Sequence, residues 1–295
     1  NQIIDVPVSN VTGFSRFTTN AGLVTNKGIE LLLGVTPVRG DITWNVDLNY
    51  SRIRNKVKSL PESSNSITYY DQGRSALRLV EGGSIGDLYG YEWKKNENGD
   101  VIIGANGLPT LDQSSYVLIG NALPDWTMGI NNGLSYKGLA LNVLLEWRIG
   151  GDMVDLSEIN SIRNGIVKFT EDRNKVVVWK GVTEDGSPNT KQVVFDESTY
   201  RAFGINAHHS FIIQDASWFR IRNIGLDYTI PKSILGKTFK SLKIGLSSNN
   251  FYLNTPFRGY DPEALAFGSG TNLIGFTGRN TPNTRSYNLR VNVGF

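Results

Sequence analysis

Apolar and polar side chains alternate residue by residue along much of this chain. Over 41–54, Ile42, Trp44, Val46, Leu48 and Tyr50 share one face, while Thr43, Asn45, Asp47, Asn49 and Ser51 share the other. A helix would scatter both sets around its circumference; a strand separates them. The same period returns over 126–136, where Trp126, Met128, Ile130, Leu134 and Tyr136 oppose Thr127, Gly129, Asn131, Gly133 and Ser135. It returns over 139–149 (Leu139, Leu141, Val143, Leu145, Trp147, Ile149) and over 287–295 (Tyr287, Leu289, Val291, Val293, Phe295). Three segments are less regular. Residues 27–35 are apolar on both faces, and 242–246 alternate with Tyr252 beyond. Over 218–230, Phe219 and Ile221 agree with each other, but Ile224, Leu226, Tyr228 and Ile230 take the opposite parity. A β-bulge near Asn223 would reconcile the two halves. The pattern thus predicts seven full strands, with residues 2–8 as the end of an eighth.

The connections alternate in length. Short turns fall at 36–40, 136–138 and 231–238; long links, read as loops, fall at 55–125, 150–217 and 254–284. Three structureless links of that size are rare in a compact soluble domain. They are routine in outer-membrane barrels, which have short periplasmic turns and long extracellular loops. A tilted strand needs about 9–11 residues to cross a bilayer, and these runs are of that order. Aromatics at strand ends (Trp126, Tyr136, Trp147, Trp218, Tyr228, Tyr287, Phe295) sit where an interfacial girdle would place them. The competing architecture is a soluble β-sandwich or propeller, whose outward faces are usually more charged. Here the faces opposite the apolar ones are mostly Asn, Ser, Thr and Gly, which suits a water-filled lumen. The expected fold is all-β, an antiparallel transmembrane β-barrel segment.

Composition narrows the chemistry. No window approaches 18 consecutive apolar residues, so any membrane crossing is by strands rather than helices. The absence of cysteine removes disulfides, thiol catalysis and Cys-based zinc sites together. Two histidines leave little for metal chemistry, and a net charge of +3 with both signs dispersed offers nucleic acid no basic run. His208-His209-Ser210 with Asp215 nearby is compatible with a hydrolytic triad, but no Gly-x-Ser-x-Gly elbow accompanies it. Gly268-Ser269-Gly270 lacks the lysine and the strand–turn–helix frame of a phosphate loop, and Glu184-Asp185 reads as solvated loop charge. No enzyme activity, cofactor or metal is expected. The long links do carry aromatics beside Asn, Asp and Arg. Tyr69, Tyr70, Trp93, Trp179, Tyr200, Phe203, Phe257 and Tyr260, with Tyr252 and Phe267, are candidate contacts to substrate or partner.

Several segments, in order, resemble the SusC/RagA-type TonB-dependent transporters. Asn20-Ala21-Gly22 followed by Asn26-Lys27-Gly28-Ile29-Glu30-Leu31 is similar to the family's "NAG…NKGIEL" signature, and 44–57 resembles the strand that follows it. Ile119-Gly120-Asn121-Ala122-Leu123-Pro124-Asp125-Trp126 resembles the entry to a later strand. Asp215-Ala216-Ser217-Trp218-Phe219-Arg220-Ile221-Arg222-Asn223-Ile224 is similar to "DASFLRLRNI". Gly259-Tyr260-Asp261-Pro262-Glu263 and Pro282-Asn283-Thr284-Arg285-Ser286-Tyr287 match two late motifs. Where the family often carries a calcium-loop-like turn, Asn96-Glu97-Asn98-Gly99-Asp100-Val101-Ile102 lacks the spaced acids and distal Glu, so a polar hairpin turn is expected.

The resemblance implies a barrel of about 22 strands around an N-terminal plug. Residues 1–295 would be the C-terminal part of one such barrel, with the plug and the TonB-contacting segment outside this sequence. It implies a multi-pass barrel in the bacterial outer membrane and import of oligosaccharides or oligopeptides. It implies a SusD-like surface lipoprotein as the cap, TonB acting through the N-terminal part, and outer-membrane lipid and the rest of the barrel as neighbours. The alternative is a passive porin or a structural barrel in a larger surface complex. Tyr287 and the final aromatic, Phe295, resemble the signal read by the barrel-assembly machinery, and the strand that pairs with theirs would come from the missing portion.

Overall fold

A computed structural model of the chain describes residues 3–7, 11, 13–14, 16–20, 22–61, 65–73, 75–206, 212–236, 238–267, 273–278 and 280–295. In chain order its strands are β1 (Ile3–Pro7), β2 (Arg16–Asn20), β3 (Leu23–Val38), β4 (Ile42–Ser59), β5 (Ser66–Asp71), β6 (Ser75–Val80), β7 (Asp87–Trp93), β8 (Leu111–Asn121), β9 (Trp126–Tyr136) and β10 (Leu139–Ile149). They continue with β11 (Asp152–Asp155), β12 (Val176–Val177), β13 (Val193–Val194), β14 (Ile213–Asp215), β15 (Trp218–Thr229), β16 (Ser241–Asn254), β17 (Phe276–Thr277) and β18 (Ser286–Gly294). Two helices, α1 (Leu156–Arg163) and α2 (Glu197–Asn206), lie in the link between β10 and β15.

The seven alternating segments form one antiparallel sheet in the order β18-β16-β15-β10-β9-β4-β3. Its register carries the two-faced pattern from strand to strand. Val38, Trp44, Leu134, Leu141, Leu226, Leu246 and Leu289 pair in turn and make one apolar row across all seven strands. One residue along, Asn45, Gly133, Asn142, Gly225, Ser247 and Asn288 make a row that is wholly polar or small. A slip of one residue in any strand would exchange the rows, so the register is fixed by which face meets lipid. The apolar side chains are correspondingly exposed: Leu246 is 62% and Leu289 70% accessible. The sheet is open, and its edge strands β3 and β18 do not pair with each other among the described residues.

Local chemistry accounts for the turns and irregularities. Lys137 and Gly138 have φ of 44° and 88°, the two left-handed residues of a type I′ turn that matches strand twist between β9 and β10. The expected bulge is present. Leu144 pairs with Asn223 and Leu145 with Ile221, leaving Arg222 extra; opposite it on β16 the register also shifts, and Asn250 has a φ of 50°. Two expectations are corrected. The first residues do not extend this sheet: β1 pairs with β2 in a separate hairpin. Trp218 does not join the outward girdle, because it pairs with Arg148 on the polar face and is buried.

The long links are folded rather than structureless. Between β4 and β9, strands β5 to β8 make a four-stranded antiparallel meander. Between β10 and β18, β14, β11 and β17 make a small mixed sheet, with β11 and β17 parallel. Apolar clusters hold these links together: Leu77, Leu88, Ala122, Val154, Ile212 and Phe276 in one, Val57, Leu60, Ile67 and Leu79 in another. The 96–100 segment is the expected polar turn. Asn96 Oδ1 accepts from the backbone N–H groups of Asn98 and Asp100, and Lys95 bridges to Val101.

The division of faces has a direct consequence. A lysine on the lipid side of a barrel costs about 2–4 kcal/mol near the midplane. In the full-length protein reconstituted in vesicles, Leu246→Lys is expected to lower the unfolding free energy by about that amount. The adjacent Ser247→Lys is expected to leave it nearly unchanged. Equal losses at the two positions would contradict the two-faced wall.

Candidate functional site

Two arginines on the polar face of β15 organise the space inside the wall. Arg220 is 2% exposed and Asp261 4%, so the charge of each must be met by a partner. Arg220 Nη2 donates to Asp261 at 2.8 Å and lies 3.0 Å from Glu263. Arg222, the bulge residue, forks onto Glu263 at 2.6 and 2.9 Å, reaches Glu146 on β10 at 2.6 Å, and donates to Asn250 Oδ1 at 3.0 Å. Bidentate guanidinium–carboxylate pairs are among the stronger hydrogen-bonded contacts. Both guanidinium groups also lie over the Trp218 ring, at 5.3 and 5.5 Å, which explains why that tryptophan faces inward. Asn283 donates to Glu263 within the 255–285 link, and Asn250 donates to the Thr284 carbonyl, which ties the C-terminal end of that link to the wall.

A second set of bonds joins this link to α1. Asp155 caps the helix by accepting from the Ser157 backbone N–H at 2.8 Å. Glu158, in its first turn, accepts from Arg258 at 2.9 and 3.2 Å and from Gln214 at 2.8 Å. Gln214 Oε1 in turn accepts from the Arg258 backbone N–H at 2.7 Å. Burial raises the carboxyls of both Asp155 and Glu158 above the usual range. Helix N–H bonds oppose that shift at Asp155, and Arg258 opposes it at Glu158. A β-carbon on Gly259 would lie 2.3 Å from the Phe257 ring, so any larger residue there would have to displace that ring.

These contacts leave a half-open groove of about 580 Å³ between α1, the 166–169 segment and the 257–261 segment. Buried Phe257 lies at its base. Ile166, 73% exposed, and Tyr260, 85% exposed, stand at it, with Ser161, Lys168 and Asn280 adding polar groups. An exposed aromatic ring beside convergent donors and acceptors can hold a polar molecule reversibly. Among the described residues no three acidic or histidine side chains gather in a way that could hold a metal ion.

The structure distributes the sequence-derived contact residues unevenly. Tyr260 and Phe257 come together at the groove. Trp93, Trp179 and Phe203 pack with one another and with Phe169, with the Trp179 and Phe203 rings stacked at 4.8 Å. Tyr200 is buried beside Phe195. Tyr70 packs edge-on against Phe267 and Phe276, and Tyr69 is half-buried between two apolar clusters. Tyr252 pairs with Ile221 on the outward face of the wall and is not a loop residue. Tyr287 and Phe295 are exposed, Phe295 lying 5.5 Å from the Phe239 ring. His208, His209, Ser210 and Gly268-Ser269-Gly270 lie outside the described residues; Asp215 accepts from the backbone N–H and the hydroxyl of Ser217. Aromatic content alone did not find Arg220, Arg222, Glu146, Glu158 or Arg258. For Glu146, Arg220 and Arg222 the available signal was charge on a strand otherwise reading as wall.

No family model matches the chain. It is 27% identical over 98% of its length to TonB-dependent receptor P3 of Formosa agariphila, and 28% identical over 99% to TonB-dependent receptor P26 of the same organism. Among solved structures, the RagAB peptide importer in its closed-closed state matches 99% of the chain with a TM-score of 0.72 at 19% identity. The open-open state of that importer matches with a TM-score of 0.66 at 20% identity. The chain spans 30–31% of the length of those two receptors and 31–32% of those solved chains.

Removing one partner of a buried ion pair costs about 3–5 kcal/mol, because the other charge stays buried. Arg220→Met in the full-length protein is therefore expected to open the 255–285 link to limited proteolysis while the wall remains folded. Arg220→Met with Asp261→Leu is expected to recover part of the protection. Unchanged cleavage in the single variant would show that apolar contacts alone hold the link.

Proposed function

We propose that this sequence, which is SusC/RagA-like and belongs to the outer-membrane TonB-dependent transporters, serves in energised import of a nutrient across the outer membrane. Its seven-stranded sheet is part of the barrel wall. Its long links are extracellular and fold back over the polar face, where they offer a binding surface on the substrate path. The observation that carries this reading is the groove beside Tyr260, held in place from the lumen side of β15 by Arg220 and Arg222.

The remaining roles follow from that placement. The rest of the barrel and the plug lie outside residues 1–295, and TonB acts through them. A SusD-like surface lipoprotein closes over the long links. Tyr287 and Phe295 supply the outward aromatic signal for barrel assembly. The cargo is an oligosaccharide, for which an exposed tyrosine ring is a suitable platform, or else an oligopeptide. No covalent step is required of any residue here.

Uptake of labelled oligosaccharides and oligopeptides by cells with and without the intact gene tests the reading. Loss of one cargo on deletion, and equally on collapse of the proton gradient, is the expected result. Uptake that survives loss of TonB would support a passive porin instead. An aromatic contact is worth about 0.5–1.5 kcal/mol beyond area. Tyr260→Ala is accordingly expected to weaken uptake of that cargo by roughly two- to tenfold, and Tyr260→Trp to retain it. Full uptake by Tyr260→Ala would remove the groove from the substrate path.

A further inference from the structure

A strongly basic patch lies on the outward face of the wall, beyond the apolar band at the long-link end. On β4 the residues following Tyr50 on that face are Arg52, Arg54 and Lys56, with exposed Lys58 beyond them at the register shift opposite 23–24; on β3 the residue preceding Ile29 on that face is Lys27. Cross-strand pairing sets Lys27 opposite Arg54, Ile29 opposite Arg52 and Thr25 opposite Lys56. Inward neighbours fix the direction of these side chains. Val57 is fully buried in the cluster with Leu60, Ile67 and Leu79, and Asn55 Oδ1 accepts from the Ser84 hydroxyl and the Ile85 N–H. With 55 and 57 inward, 54 and 56 point outward.

The patch is poorly neutralised. Arg54 pairs with Asp125. Lys27, Arg52, Lys56 and Lys58 are exposed, and none of them forms an ion pair among the described residues. Glu30, the nearest acid on β3, falls on the opposite face. Below Lys27, Arg54 and Lys56, at and beneath the level of Arg52, the Tyr50 and Trp126 rings meet at 5.9 Å and exposed Ile29 and Leu31 begin the apolar band. Side chains two residues apart on a strand are separated by about 7 Å, so the cations stand at headgroup height.

We infer that Lys27, Arg52, Lys56 and Lys58 form a docking site for the phosphorylated headgroup of an outer-leaflet lipid, with Tyr50, Trp126, Ile29 and Leu31 contacting its acyl chains. The occupant must be anionic at the head and apolar below it, and must approach from the bilayer. A soluble phosphate has no use for the apolar band, and a nucleic acid has no access to it. The inference rests on the outer-membrane placement of the wall and not on the import reading, so either can fail alone.

The test titrates fluorescent diphosphorylated lipid A, and its dephosphorylated form, into the full-length transporter in neutral detergent micelles. Each cation near an anionic lipid surface contributes about fivefold in binding. The variant Lys27→Gln/Arg52→Gln/Lys56→Gln/Lys58→Gln is expected to lose about a hundredfold or more for the phosphorylated lipid, most clearly at low salt, and little for the dephosphorylated one. A control with Arg39→Gln and Lys137→Gln, at the short-turn end, is expected to bind as the unaltered protein does. Heat-modifiable gel migration reports whether the barrel is intact. If the fourfold variant does not assemble, Lys27→Gln and Lys56→Gln are measured singly, each with about a fivefold loss expected. Undiminished binding, a loss that ignores the phosphates, or a variant that loses self-association instead would overturn the proposal.

Discussion

Hydrocarbon offers a backbone no hydrogen-bonding partner, so a strand that crosses it must have its N–H and C=O groups paired by the strands on either side. That requirement fixes the sheet β18-β16-β15-β10-β9-β4-β3, and the sheet then leaves each side chain only two directions. Lipid selects the row from Val38 through Leu141 to Leu289, and water selects the row from Asn45 through Asn142 to Asn288. The type I′ turn at Lys137-Gly138 and the bulge at Arg222 are adjustments that keep the register in phase. Among the described residues the edge strands β3 and β18 do not pair with each other.

The bulge turns a constraint of the wall into a feature of the lumen. By inserting one residue, β15 places Arg222 beside Arg220 and over Trp218, and the two guanidinium groups face the acids of the 255–285 link. Motifs that look separate in the chain, Arg220-Ile221-Arg222 and Tyr260-Asp261-Pro262-Glu263, are thereby two halves of one ion network. The groove beside Tyr260 inherits its position from that network and from the Arg258–Glu158 pair on α1.

The strands of the wall were legible because lipid enforces a strict two-residue period over about ten residues, and even the phase slip near Asn223 could be read as a bulge. The links were not. Strands β5 to β8 pair with register shifts after Thr68, Leu88 and Gly90, which break the period, and their apolar residues serve small local clusters rather than one broad face. Trp218 misled because its type suits a membrane interface while its parity, visible against Phe219 and Ile221, puts it inside. The loop aromatics were found by type, but type does not distinguish a ring packed in a cluster, such as Phe203, from one left exposed, such as Tyr260. The ion network joins residues 41 to 76 positions apart, a juxtaposition that only the fold supplies.

The chain contains no cysteine, which makes one measurement especially direct. Single substitutions Leu246→Cys, Ser247→Cys, Asn288→Cys and Leu289→Cys, placed in the protein on a cysteine-free background, can be exposed in intact outer membranes to a membrane-impermeant maleimide. A two-faced transmembrane wall requires labelling at Ser247→Cys and Asn288→Cys and protection at Leu246→Cys and Leu289→Cys. Labelling at all four positions, or at the two leucine positions alone, would contradict it.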